Sequence, residues 1–310
     1  MDHQELIVIN GAEVLARPDQ RGAYWQRIRA GGTTAFAATA VRSQLPAWFR
    51  RFRDDESLLH VTEPRHVREA KADGRLGVIF HAQKPPPELA DEPDEAWNLQ
   101  RLGIRMLQLT YNDHSPFGDG CTEATDDGLS ALGARVVRAA NEAGILLDVS
   151  HAGRRTAMDV VAASAEPVVA SHCNADAVCH NPRNLADEAI AAIAERGGVI
   201  GVTAFPSMVR WQEPTLERML DHIDHVAALV GPEHVGFGLD FCSIPQASWD
   251  SGRFSPAAYP PPPWIFPPGI SGPEEVPNLT EGLVRRGYGE AEVGGIMGAN
   301  LLRLFETAWR

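Results

Sequence analysis

The sequence predicts a (β/α)8 barrel of the parallel α/β class, with residues 1–310 forming one domain. Three observations carry this. First, short apolar runs that read as strands buried on both faces end in groups able to bind a metal or move a proton. These are Gly144-Ile-Leu-Leu-Asp-Val-Ser-His151, Pro167-Val-Val-Ala-Ser-His172 and His234-Val-Gly-Phe-Gly-Leu-Asp240. Second, about eight such runs alternate with helical segments, the number a closed barrel requires. Third, no glycine-rich phosphate loop follows the first strand, which argues against a doubly wound open sheet. In a barrel the strand ends converge on one face, so His151, His172 and Asp240 are expected to share one pocket.

The elements follow in order. Residues 6–9 read as the first strand, stopped at Asn10-Gly11. Residues 24–30 read as a helix broken by Gly31-Gly32, and the β-rich stretch 33–39 is the second strand. The charged, amphipathic stretch 46–59 is expected as a surface helix. Another, over 61–72, takes Thr62 as its N-cap, with Glu63 and Pro64 in the first turn, and ends at Gly74. Residues 76–80 are the third strand, followed by His81-Ala82-Gln83 and a proline-rich loop. A helix over 94–102, closed by Gly103, leads to the fourth strand, 104–110. The polar loop 111–127 is long enough to cover or line a site. A helix over 127–143 with Gly144 as C-cap precedes the strand that ends at His151. Then come a helix over 156–163, the strand ending at Ser171, a helix over 187–196, a strand over 199–203, a helix over 214–230 and the last strand, 235–239. Helices over 278–286 and 290–309 close the chain.

Residues 243–277 stand apart. They hold Pro260 to Pro263 and the aromatics Trp249, Phe254, Tyr259, Trp264 and Phe266. A disordered linker is the bland reading, but that much apolar area asks to be buried. The segment leaves the last strand's C-terminal end, so an ordered lid over the barrel mouth, or a homodimer contact, is expected.

Composition excludes several functions. The chain has 310 residues, 44% hydrophobic, and a net charge of -13 with pI near 5.3. That charge leaves no electrostatic footprint for nucleic acid. No apolar run is long enough to span a bilayer, and no basic segment followed by an apolar run opens the chain. Cys121, Cys173, Cys179 and Cys242 form no CxxC pair, so reduced thiols in the cytoplasm are expected. The partner implied is a small-molecule substrate, with no nucleic acid and no membrane.

The order of motifs is familiar as a set. Leu147-Asp-Val-Ser-His151, Ser171-His172, Ala177-Val-Cys-His-Asn-Pro-Arg-Asn184, Gly197-Gly-Val-Ile-Gly201, His234-Val-Gly-Phe-Gly-Leu-Asp240-Phe241 and Gly298-Ala-Asn-Leu-Leu-Arg-Leu-Phe305 resemble the membrane (renal) dipeptidase family of zinc metallopeptidases, in the amidohydrolase superfamily. The resemblance runs over residues 76–310 and more weakly before. It implies a (β/α)8 barrel with two zinc ions bridged by a glutamate, acting on dipeptides and related amides. It also implies that His151 and His172 hold one zinc, that Asp240 handles the proton of the attacking water, and that Arg183 holds the substrate carboxylate. The chain departs from the pattern at the other ion. Ala12 and Val14 stand where the first strand would supply a His-x-Asp pair, Gln83 (or Ala82) replaces the bridging glutamate, and Tyr111 replaces a histidine that polarises the substrate carbonyl.

Each candidate has a plainer reading beside it. A strand-end histidine is more often structural than a ligand, but two on adjacent strand ends with an aspartate nearby favour a ligand pair. Zinc would want a third ligand from Asp240, His81, Gln83 or Cys242, so at most one ion is expected, and none if two histidines bind too weakly alone. Asp240 reads as general base or ligand, since a charge closing an apolar strand must be satisfied. Arg183 reads either as a surface partner of Asp187 or Glu188 or, through its fork geometry, as a carboxylate binder. Tyr111 is a candidate carbonyl donor and Asn112 a candidate substrate contact, against simple turn chemistry. Cys173 and Cys242 read as buried filler, with a nucleophilic Cys242 as the rival. His180, His222 and His225 read as structural or surface groups. Glu13 lies near the vacated first-strand site, with strand alternation turning it away. The leading expectation is a dipeptidase-like metal-dependent hydrolase of a small carboxylate-bearing amide. The rivals are a non-hydrolytic biosynthetic enzyme on the same barrel and an inert ligand- or partner-binding homologue.

Overall fold

A computed structural model describes residues 1–19, 23–242 and 246–309. It contains β1 (Ile9–Glu13), β2 (Ala35–Thr39), β3 (Leu58–His60), β4 (Leu76–Ala82), β5 (Ile104–Gln108), β6 (Leu146–Asp148), β7 (Val169–Ala170), β8 (Val199–Val202) and β9 (Val235–Phe237). All pair in parallel, in the order β1-β2-β4-β5-β6-β7-β8-β9, and β3 adds outside against the start of β4. Helices lie between the strands, because parallel neighbours need a crossover. The ring is nearly closed. Between β9 and β1, Asp240 N donates to Ala12 O (3.0 Å) and Leu239 N donates to Asn10 Oδ1 (2.9 Å). The fold is a (β/α)8 barrel.

The barrel strands are buried on both faces, which is why they read as apolar runs. The last helix, Asn300–Ala308, packs Leu301, Leu304 and Phe305 against Ile9, Leu146, Val169 and Val199 at the strand starts. The interior is narrow beneath the site. A Cβ at Gly201 or Gly238 would lie 2.2 or 2.1 Å from the carbonyl oxygen of Ser171, so only glycine lets these strands approach.

Five local expectations are corrected. The first strand spans Ile9–Glu13 rather than 6–9, because Asn10-Gly11 is not a stop: the Asn10 side chain stitches the seam and Gly11 fits the tight interior. The surface helix ends at Asp54, and Leu58–His60 forms β3 because Leu58 is buried against β4. Thr62 is not a cap: Glu63 takes that position without a side-chain bond, and Pro64 starts the helix. The helix expected from 127 starts at Ala131. Asp119 and Asp159 hold the amides of Asp127 and Leu129 outside it, and Ser130 caps Gly133 N. The closing stretch 290–309 is also broken, at Gly298, where a Cβ would meet Ile7 O at 2.4 Å.

Residues 243–245 of the expected lid lie outside the described residues. From residue 246 on, the segment is packed. Phe254, Tyr259, Trp264 and Phe266 gather around Phe205 and Met208 just beyond β8. Its backbone is tied down as well: Ser207 Oγ donates to Ala258 O (2.7 Å) and Trp249 Nε1 to Tyr259 O (3.0 Å). No helix among the described residues is long and apolar enough to cross a membrane.

Candidate active site

The loops after the strand ends bring Gln83, Tyr111, His151 and Asp240 to one cavity, with Asn112 and His172 buried against His151. Gln83 follows β4, Tyr111 and Asn112 follow β5, His151 follows β6, His172 follows β7 and Asp240 follows β9. Among the described residues, three non-glycine residues have positive φ: Asn112 (64°), His151 (69°) and Asp240 (53°). All three lie here. Left-handed backbone is unfavourable for a histidine, and such strain persists where the surrounding structure holds it.

His151 and His172 touch, with their Nε2 atoms 2.9 Å apart. Their other nitrogens fix the proton positions. His151 Nδ1 lies 2.6 Å from Asn112 Oδ1. That oxygen also accepts from Tyr259 Oη (3.1 Å), so it is an acceptor and His151 Nδ1 carries the proton. His172 Nδ1 lies 2.7 Å from Ser171 Oγ, whose own proton goes to Asp148 Oδ2 (2.5 Å). His172 Nδ1 is therefore a donor too. Both neutral rings then aim an Nε2 lone pair at the other. Protonating either ring is disfavoured: burial, then the charge of Arg183, pushes both pKa values well below the ordinary histidine range.

Asp148 anchors the layer beneath. It accepts from Ser150 N, Ser171 N and Gln108 Nε2 at 2.9 to 3.0 Å, besides Ser171 Oγ. His81 Nε2 comes within 3.1 Å without forming an aligned hydrogen bond. Burial opposes ionisation of Asp148. His81, His172 and the Ser171 hydroxyl outweigh it and hold the carboxyl well below the usual carboxylate range. Sequence reasoning passed over this residue. The signal was there: an acid inside an otherwise apolar, doubly buried strand must be paired.

A cavity of about 290 Å³ opens above His151, lined by Gln83, Tyr111, His151, Asp240, Cys242, Tyr259 and the apolar Val14, Phe205, Phe254 and Trp264. The Asp240 carboxylate accepts no hydrogen bond from the described residues and faces this space. Burial pushes its pKa up to about 7, against the pull of Arg183. Tyr111 stacks on His151, with ring centroids 4.1 Å apart; burial, then Asp240, keeps its phenol protonated. Gln83 Nε2 and Thr39 Oγ1 are buried, line the same cavity and find no partner among the described residues. A ligand or water would satisfy them.

Other expected groups fall elsewhere. Arg183 is buried, not a surface partner of Asp187 or Glu188, and does not line the mouth. Tyr259 stands between: Arg183 Nε donates to Tyr259 Oη (2.9 Å), and the guanidinium pairs with no carboxylate among the described residues. Asn112, a candidate substrate contact, has its carboxamide oxygen taken up by His151 and Tyr259. Glu13 turns away from the mouth, where Tyr24 Oη (2.5 Å) and Asn10 Nδ2 (3.2 Å) hold it. Burial pushes the Cys242 thiol well above its usual range and raises Cys173 as well, which argues against a thiolate nucleophile. His222 is buried with its ring held by Ala175 N and Val209 O, while His180 and His225 pair with Asp176 and Asp187. Tyr259 was seen in the sequence only as part of the lid; nothing in its local pattern shows that it reaches the histidines.

The paired imidazoles would give two nitrogen donors to a single metal ion. Both Nδ1–H groups are engaged by acceptors that fix the rings and leave Nε2 free, the usual arrangement behind metal-bound histidines. The donor set does not fit a second ion, since Ala12 and Val14 offer no donor and Gln83 carries no charge. Among the described residues, no group of three or more His, Cys, Asp or Glu side chains is gathered to hold a metal. A third ligand from Asp240, His81 or Cys242 is therefore not assembled.

Comparison with known proteins identifies a family. The model of the family described as "Membrane dipeptidase (Peptidase family M19)" matches residues 22–254. Dipeptidase verJ of Clonostachys rogersoniana is 29% identical over 243 residues, which is 78% of this chain and 58% of that protein. Dipeptidase 3 of Rattus norvegicus is 32% identical over 216 residues, 67% of this chain and 40% of that protein. The chain thus spans about half the length of these curated relatives. Among solved structures, an amidohydrolase from Pseudomonas aeruginosa is similar at 29% identity and a TM-score of 0.89, covering 99% of this chain and 98% of that one. A dipeptidase of the same family, at 24% identity and a TM-score of 0.82 over 98% of this chain and 99% of that one, shares the fold. By the family match over most of its length, on a barrel carrying paired histidines at its mouth, the chain belongs to the membrane dipeptidase family, peptidase family M19.

Proposed function

We propose that this protein is a metal-assisted hydrolase of a small carboxylate-bearing amide, a dipeptide or an amino-acid derivative, using one zinc ion held by His151 and His172. The observation that carries this reading is the imidazole pair, with both Nδ1 atoms occupied and both Nε2 atoms turned together, beside a carboxylate of raised pKa. When bound, zinc would polarise the scissile carbonyl and lower the pKa of its water to roughly 7. Asp240, titrating near the same pH, takes the proton of the attacking water on a carboxylate oxygen and returns it to the leaving nitrogen. Tyr111 is a neutral donor at the cavity wall, suited to the carbonyl oxygen. Arg183, behind Tyr259 and paired with no carboxylate among the described residues, supplies a buried positive charge that favours an anionic substrate without touching it. The aromatic segment closes the mouth as a lid and offers Phe254 and Trp264 to an apolar substrate side chain.

A panel of dipeptides and N-acyl amino acids assayed with the zinc-reconstituted protein tests this. Turnover is expected, and Asp240→Asn should lower kcat by about 10²- to 10⁴-fold with zinc content unchanged. No turnover of any member by zinc-loaded protein sinks the hydrolase reading. The missing second-ion ligands favour the non-hydrolytic alternative in that case.

Asp240 also makes a stability prediction. Its folded pKa is raised above the unfolded value of roughly 3.9, so its contribution is fully present below about pH 4 and is lost as pH rises toward 7. A shift from roughly 3.9 to about 7 corresponds to a loss of about 2–3 kcal/mol between pH 5 and 8. Urea midpoints of metal-free protein at pH 5 and 8 should show a larger drop in wild type than in Asp240→Asn, which keeps the part due to Glu13, whose pKa burial pushes up to about 8. Equal drops in both proteins would count against the assignment.

A further inference from the structure

One chain of hydrogen bonds joins the lid segment to the histidine pair. Arg183 Nε–H donates to Tyr259 Oη at 2.9 Å, Tyr259 Oη–H donates to Asn112 Oδ1 at 3.1 Å, and Asn112 Oδ1 accepts from His151 Nδ1 at 2.6 Å. Every side chain in it is buried. The polarity of the chain is not arbitrary. A guanidinium can only donate, so Tyr259 Oη must accept from it, and the single phenol proton is left for Asn112. That proton calls for an oxygen. A carboxamide reversed end for end would set its NH₂ against the phenol proton and strand it, because no other acceptor for Tyr259 Oη is present among the described residues.

The orientation of Asn112 in turn decides the tautomer of His151. With Oδ1 against the ring, Nδ1 carries the proton and Nε2 is free. With the amide reversed, its N–H would face Nδ1, the ring proton would move to Nε2, and the nitrogen turned toward His172 would be blocked. His172 is set independently from below, by acceptor-only Asp148 acting through Ser171. The two rings are thus polarised from opposite sides, one by a buried cation and one by a buried anion.

We infer that Tyr259, carried on the lid segment, is a positioning residue that sets the proton position of His151 through Asn112, with Arg183 as the fixed end of the relay. Docking of the lid and readiness of the histidine pair are then one event. With the lid undocked, Asn112 Oδ1 loses its hydroxyl donor and keeps, besides His151, only the weak donor Cys121 Sγ at 3.6 Å. Tyr259 fits this role on packing grounds too. Its ring is locked edge-on against Phe205 and Phe254, so the phenol is delivered to one place. The consequence for metal binding rests on the proposed zinc site; the tautomer itself does not.

The test is ¹⁵N spectroscopy of histidine-labelled, metal-free protein, with the His151 signal assigned by its loss in His151→Asn. Wild type should show His151 protonated at Nδ1. Tyr259→Phe removes one oxygen and keeps the aromatic packing; it should shift His151 toward the Nε2–H tautomer and weaken zinc binding by about 10- to 100-fold. Combining it with Asn112→Asp supplies a side chain with no NH₂ to reverse, tolerated in left-handed backbone, and should restore both the Nδ1–H tautomer and zinc affinity. A merely structural role for Tyr259 predicts no such rescue. Tyr259→Phe with wild-type tautomer and zinc affinity would overturn the inference, as would a double variant that stays in the Nε2–H form. Because the tautomer is read without metal or substrate, it stands or falls apart from whether the protein hydrolyses amides.

Discussion

His172→Ala is expected to weaken zinc binding by more than about 100-fold and to remove amide hydrolysis, since loss of an outer-shell partner alone commonly costs about 10- to 100-fold in metal affinity. The site has little redundancy. His172 and His151 are the pair whose Nε2 atoms meet, and no cluster of three or more His, Cys, Asp or Glu side chains is present among the described residues to take over. Zinc titration with a competing chelator, alongside dipeptide turnover, measures both effects. His180→Ala, an exposed histidine paired with Asp176, serves as the control and should change neither. Retention of wild-type zinc affinity in His172→Ala would mean that the metal lies elsewhere and that the mouth of this barrel has been misread.

Asp148→Ala is expected to destabilise the fold by about 3–5 kcal/mol, the cost of breaking a buried charged network by removing one partner. The carboxylate satisfies the amides of Ser150 and Ser171, the Ser171 hydroxyl and the Gln108 carboxamide. Alanine would leave all of them buried without an acceptor. The pH dependence has a definite sign. The folded pKa is depressed, so this stability is present above the unfolded value of roughly 3.9 and is lost as pH falls through the folded one. Denaturant melts should therefore show the gap between wild type and Asp148→Ala narrowing below about pH 4. A full gap at neutral pH of under 1 kcal/mol would show that the layer beneath the histidines is not what holds them. The same variant frees the Ser171 hydroxyl, so His172 should lose its fixed tautomer as well.

Much of the barrel was legible because its signal is one-dimensional. A strand buried on both faces must be apolar along its length, and its polar end is conspicuous; His151, His172 and Asp240 were found this way. His151 and Asp240 line one cavity, while His172 is buried behind His151 and touches it. Where local reading failed, a distant partner had overruled it. Asn10-Gly11 looks like a turn, yet Asn10 bonds Leu239 across the seam. Residues 127–130 look like the start of a helix, yet two aspartates hold their amides elsewhere. Asp148 could have been found from its oddity inside an apolar strand. Tyr259 could not, since an aromatic in a proline-rich stretch has no periodicity to mark the face it presents.

The sequence by itself determined the barrel and the nearness of two strand-end histidines, and it fixed that Ala12 and Val14 offer no metal donor, because residue identity alone decides whether a side chain can ligate. Only the tertiary structure decided where Arg183 and Tyr259 stand, which nitrogen of each imidazole is free, and which carboxyl is pushed up or held down. Those properties depend on what lies within about 3 Å and on how much water is excluded. In this chain the deciding neighbours are separated by as many as 147 residues, from Asn112 to Tyr259.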